Sequence, residues 1–148
     1  MVIDTLQQLY KRDLTRLKKE ITSYTKEENL WIVDGAIANS GGNLCLHLLG
    51  NLNAFIGAQI GKTGYIRDRE FEFAGKNVSI ALLARQIDDT IVTVENALAL
   101  LDNRQLASEY PIKVFKEAMT YEFFLIHLSS HLTYHLGQIN YHRRLLDK

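Results

Sequence analysis

Cysteine and proline are nearly missing from this chain, which has one of each, Cys45 and Pro111, among 148 residues. A lone cysteine excludes an internal disulfide, which fits a reducing compartment. No apolar run approaches the ~18 residues needed to cross a bilayer. The start, MVIDTLQQLYKRDL, lacks the apolar centre of a secretory signal. A cytoplasmic protein with no membrane partner is therefore expected. Net charge is absent too: seventeen basic residues balance seventeen acidic ones, leaving no bulk field to attract nucleic acid. Lys11, Arg12, Arg16, Lys18 and Lys19 crowd one segment, but Asp4, Asp13 and Glu20 interleave with them. That mixture reads as a solvated helix face.

What remains is ordinary globular composition, 47% hydrophobic and 23% charged, in a chain long enough to bury one core without staples. Residues 1–148 are expected to form a single domain. Apolar residues recur at helical spacing in four segments. The first runs from about Val2 to Ser23, with Ile3, Leu6, Tyr10, Leu14 or Leu17, and Ile21 inward. The second runs from about Asn43 to Ile60, after an Asn39–Gly42 loop suited to capping it. The third follows Ser79, a good N-cap, to about Leu101. The fourth spans Thr120 to Leu145. Adjacent Asp88 and Asp89 cannot share a helix face and read as surface charges. The connections are irregular: Leu30–Val33 should fold back over one end of the core, residues 61–77 read as a loop with a short extended piece at Phe71–Phe73, and Ile112–Phe115 looks β-like. The expected class is all-α, most simply a four-helix bundle whose long links suggest crossover connections.

The histidines are concentrated. Four of the five lie in the last segment, three of them at i, i+4 and i+8: His127, His131 and His135. On a helical wheel, His131 and His135 fall within about 60° of Leu128 on the apolar side, and His127 lies roughly 100° away. Histidines one turn apart can share an ion at about 2.0–2.1 Å, whereas His127 and His135, ~12 Å apart in rise, cannot both reach it. The pair is 131/135 or 127/131, and the wheel favours the former. Neither reads HExxH, so no glutamate base of the metalloprotease type is present. His47, on the second helix, is ringed by Asn43, Gly50, Asn51, Ala54 and Ala58, a small and polar face that suggests a cavity beside the ring. It is the natural third ligand. Three imidazoles with one open position suit a catalytic or substrate-binding metal centre. Gln138, Asn43 and Asn51 are candidates to orient the rings. His142, near the helix end, reads as structural or surface, and Cys45 points away from His47.

Three stretches carry a family likeness. HLTYHLGQI at 131–139 resembles the HxxxHxGQI signature of the DinB/YfiT-like superfamily of bundle metalloproteins. NSGGNLCLHLLGNLNAFI at 39–56 resembles the second-helix signature of an uncharacterised branch of it, and RDREFEF at 67–73 that branch's following loop. The resemblance implies a four-helix bundle with crossover connections, often a homodimer, holding a divalent ion, zinc or nickel foremost, on His47, His131 and His135. Relatives include metal-dependent transferases and isomerases that use low-molecular-weight thiols such as bacillithiol or mycothiol.

The leading expectation is thus a small metalloenzyme acting on an electrophilic small molecule, with a low-molecular-weight thiol as co-substrate in the transferase form. Two other readings use the same residues. One is a non-catalytic bundle that binds or senses a metal or small ligand. The other is a helical dimerisation protein with structural histidines, for which Leu46, Leu49, Ile56 and Ile60 would supply the interface.

Overall fold

The computed structural model describes residues 1–148, and every regular element in it is helical. Helix α1 (Val2–Thr22) turns Leu6, Tyr10, Leu14, Leu17 and Ile21 inward at three-to-four spacing. A 3-10 turn at Glu27–Trp31 lays Leu30 and Trp31 over the end of the core. Ser40 then caps α2 (Gly41–Leu52), its hydroxyl accepting from the Asn43 amide at 3.1 Å. A short α3 (Arg69–Ala74) precedes α4 (Ile80–Leu98), which is capped by Ser79. One turn, α5 (Asn103–Leu106), leads to the 26-residue α6 (Tyr121–Leu146), capped by Thr120.

Helix α1 packs against α4 and α6, while α2 packs against α3, α4 and α6. Together they enclose one hydrophobic cluster of 29 buried residues. Helices α2 and α6 run antiparallel: Gly41 lies beside His142 at one end, and the Phe55 ring meets Phe124 edge-on at 5.1 Å near the other. His47 therefore falls opposite the His131–His135 turn. No helix is long and apolar enough to cross a membrane.

Several expectations change. The second helix does not run on as α-helix to Ile60, because Asn53–Ala58 is a π-helical turn. The Asn53 side chain ties Leu49 O and Thr90 Oγ1 together at 2.8 and 2.9 Å, and amide bonds five residues apart follow, such as Gln59 to Ala54. Leu46, Leu49, Ile56 and Ile60 offer no dimer face, since each is at most 7% exposed inside the chain's own core. Ile112–Phe115 forms no strand; the nearest pairing is an isolated bridge between Glu109 and Thr120. Ser129 of α6 is buried, polar side chain and all, on the inward side of the helix.

Asp13 is the largest departure in α1. Instead of lying on a solvated face it is 1% exposed. Its carboxylate accepts from Arg12 at 2.8 Å and from the Thr133 hydroxyl of α6 at 2.7 Å, with Arg16 at 3.4 Å. Burial alone would raise this carboxyl, but the Arg12 and Thr133 hydrogen bonds and the two guanidinium charges outweigh it and hold it below the usual carboxylate range. The stability it contributes is therefore present above the unfolded carboxyl value of about 4 and lost as pH falls through the lower folded one. Asp13→Ala should cost about 1–3 kcal/mol in urea unfolding at pH 7. The gap to wild type should close between about pH 5 and pH 2, and a gap that widens on acidification would contradict this account.

Candidate metal centre

Where α2 and α6 face each other, three imidazoles meet. The Nε2 of His131 lies 3.2 Å from that of His47 and 3.1 Å from that of His135. All three ligating atoms lie within 4.8 Å of one another. A tetrahedral ion bonded at 2.0–2.1 Å spans adjacent nitrogens by about 3.3 Å, so the triangle needs only a small adjustment to accept one. The rings meet edge-to-face, with interplanar angles of 78° to 88°.

The tautomers follow from the groups behind the rings. His47 Nδ1 lies 3.0 Å from Glu72 Oε1, and His135 Nδ1 lies 2.7 Å from Gln138 Oε1. A carboxylate or amide oxygen only accepts, so both Nδ1 atoms carry the hydrogen and both Nε2 atoms face the centre as bare lone pairs. Two lone pairs thus converge on the Nε2 of His131. A single N–H there would point along one direction, whereas a cation would satisfy all three rings. The donor set fits a borderline divalent ion. Two buried side-chain atoms have no partner, His131 Nδ1 and Asn51 Oδ1. The first carries a hydrogen whenever Nε2 binds a cation; the second is an acceptor one turn past His47.

Burial disfavours the charged form of two of the rings, His131 and His47. It lowers His131 to about 4, aided by neighbouring His135, His47, His127 and Arg67. It lowers His47 as well, against the opposing pull of the Glu72 hydrogen bond and charge. Lone pairs on these two rings are therefore available at neutral pH.

Glu72 is the residue that the sequence reading missed. Residues 69–74 form a helix, not an extended piece, because Asp68 caps it by accepting from the Phe71 amide at 3.0 Å. That turn sends Glu72 inward, to 3% exposure, and lays the Phe73 ring 4.9 Å from that of His47. Arg67 grips the carboxylate with two bonds of 2.8 and 2.9 Å. The arginine of this loop therefore meets an anion from its own chain. The small face around His47 is not an open cavity: Glu72 fills it, and a Cβ on Gly50 would overlap the carboxylate. Asn43 does not touch His47; its amide holds Glu72 O and Gly75 O at 3.0 and 2.8 Å, pinning α3 in place.

The remaining histidines stand apart. His127 stacks on Phe124 and His131, with centroids 6.1 and 6.5 Å away, and meets Phe115 edge-on at 4.9 Å. His142 is buried and structural: Nε2 lies 2.8 Å from Ile32 O and must donate, so Nδ1 accepts from Tyr24 at 2.7 Å. Cys45 is fully buried, its thiol pushed up to about 12 by burial, which leaves it inert.

No protein-family model matches the chain, and no protein of curated function does either. The fold has a solved counterpart. It is similar to a crystal structure described as a conserved protein from Enterococcus faecalis, with a TM-score of 0.77 and 16% identity. The match covers 97% of this chain and 95% of that one. At that identity the likeness speaks for the fold alone.

Glu72→Ala should weaken divalent-ion affinity about 10–100-fold in a competition titration with a chromophoric chelator. Gly50→Ala, which favours helix by intrinsic propensity, should nonetheless weaken it comparably by evicting the carboxylate. Unchanged affinity in both variants, with the helical circular dichroism retained, would remove Glu72 from the site.

Proposed function

We propose that the chain is a DinB-like four-helix bundle, its long helices α1, α2, α4 and α6 joined by crossover connections, that binds one divalent ion on His47, His131 and His135. The observation that carries this reading is the convergence of three Nε2 atoms, two of them bare by the tautomer that Glu72 and Gln138 impose. Zinc and nickel both suit three neutral imidazoles.

The chemistry proposed is that of a small metalloenzyme acting on an electrophilic small molecule. Bound in this way, the ion would supply Lewis acidity and would lower the pKa of a water or low-molecular-weight thiol occupying the open position. The protein's own contribution is orientation and exclusion. Glu72, held by Arg67, fixes the plane of the His47 ring and accepts its Nδ1 hydrogen, raising the basicity of Nε2. Gln138 does the same for His135 with a neutral amide. Phe73 packs over His47 and limits water on that side. His127 is half-buried one turn before His131, its ring stacked towards that imidazole at 6.5 Å.

A homodimer is a second element of the reading. On α6, Ile126, Tyr134 and Tyr141 are 48%, 65% and 62% exposed along one stripe with Ser130 and Gly137. This apolar stripe with small gaps suits a second copy of the helix better than open water.

Protein purified without an affinity tag should carry about one equivalent of zinc or nickel by mass spectrometry, and His131→Ala should carry almost none. Wild-type protein without stoichiometric metal, even after incubation with zinc, would end this reading. Loaded protein should accelerate displacement of chloride from 1-chloro-2,4-dinitrobenzene by a low-molecular-weight thiol at least tenfold over His47→Ala; equal rates would favour the non-catalytic binding or sensing bundle.

A further inference from the structure

Beside the candidate metal centre, the segment leading into α6 borders an open cleft of about 640 Å³. Its walls are Phe115, Ala118, Met119, Phe123 and His127, with the Lys116 and Glu117 charges cancelling at the rim. The volume is that of a small-molecule site. Phe115 and Phe123 are 40% and 57% exposed, although aromatic side chains gain most from burial. One residue joins this cleft to the histidine triangle: the ring of His127 lines the cleft and stacks towards His131 at 6.5 Å. From His131 back to His127 is one helical turn, about 6 Å of rise.

We propose that the ligand of this protein is an amphiphile, with a metal-binding head placed on the open position of the centre and an aryl or alkyl body that passes the edge of His127 into the cleft. The inference rests on the metal reading above and deepens it by naming the substrate class. The distance sets the form of the molecule. A linker of about three or four carbons is needed to span one turn before the apolar body begins. A compact hydrophilic electrophile would leave the cleft empty, and a body without a metal-binding head would lose the anchor. The cleft therefore determines specificity, selecting among bodies that the ion, holding only the head, would treat alike. The position of His127, lining the cleft and stacked towards His131, favours this occupant over a second copy of the chain.

The test uses cobalt-loaded full-length protein, whose visible absorption reports ligands entering the metal sphere. Two hydroxamates with the same head are compared, acetohydroxamate and 4-phenylbutyrohydroxamate. Wild type should bind the phenylbutyl compound at least about tenfold more tightly, the order of effect that burying a phenyl ring supplies. Ala118→Trp, which fills the cleft, and Phe123→Ser, which removes an exposed wall, should each reduce that ratio several-fold while acetohydroxamate affinity and cobalt content hold. Equal affinities in wild type, or a preference that survives in both variants, overturn this inference and leave the metal reading standing. Protein that takes up no cobalt overturns both. Variants that convert a dimer to a monomer and leave the ratio untouched would assign the cleft to a subunit contact, against the proposal.

Discussion

The site depends on one constraint: the Nδ1 hydrogen of His47, buried between helices, must find an acceptor. The acceptor is a carboxylate, and a buried carboxylate has to be neutralised and given space. Space comes from Gly50, whose missing side chain admits Glu72 against the helix. Neutralisation comes from Arg67, five residues before Glu72 on the same short segment. Position comes from Asp68, which caps α3, and from Asn43, which binds the carbonyls at its far end. Five residues thus fix one ring plane, and the ring presents its second nitrogen to His131 and His135. The π-helical turn Asn53–Ala58 follows α2 directly, with Leu52 and Gln59 on either side still in helical backbone conformation.

Much of this was legible in the sequence where a local period carries the signal. Three-to-four spacing located the long helices, and the serine and threonine caps set their starts close to where they lie. The wheel on α6 separated His131 and His135 from His127, and the structure does bring the first two against His47. The i, i+3 step to Gln138 was equally local. Glu72 was hidden because its role depends on a loop folding back across α2, and REFEF alternates like a strand until the Asp68 cap is counted. Gly50 and its neighbours were read as an opening, when a small face serves equally well to receive a side chain from elsewhere. Asp13 failed for a similar reason: flanking arginines look like solvation on a wheel, but here they neutralise a carboxylate that reaches Thr133 on another helix.

The five histidines divide by what stands behind each ring. His47 and His135 have oxygens that only accept, which bares Nε2. His142 has a carbonyl at Nε2 and a hydroxyl at Nδ1, which fixes the opposite tautomer and closes the ring to any ion. His127 has aromatic faces and belongs to the cleft. His131, flanked by two lone pairs, is the ring whose state has to change if a cation enters.

That state is directly measurable. Long-range proton–nitrogen correlation spectra of uniformly ¹⁵N-labelled protein, recorded before and after one equivalent of zinc, report the tautomer and ligation of each ring. Three histidines, His47, His131 and His135, should show zinc on Nε2 and hydrogen on Nδ1, while His142 stays an Nε2–H tautomer and His127 keeps unligated shifts. Ligation through Nδ1, ligation of fewer than these three rings, or zinc on His127 would contradict the account.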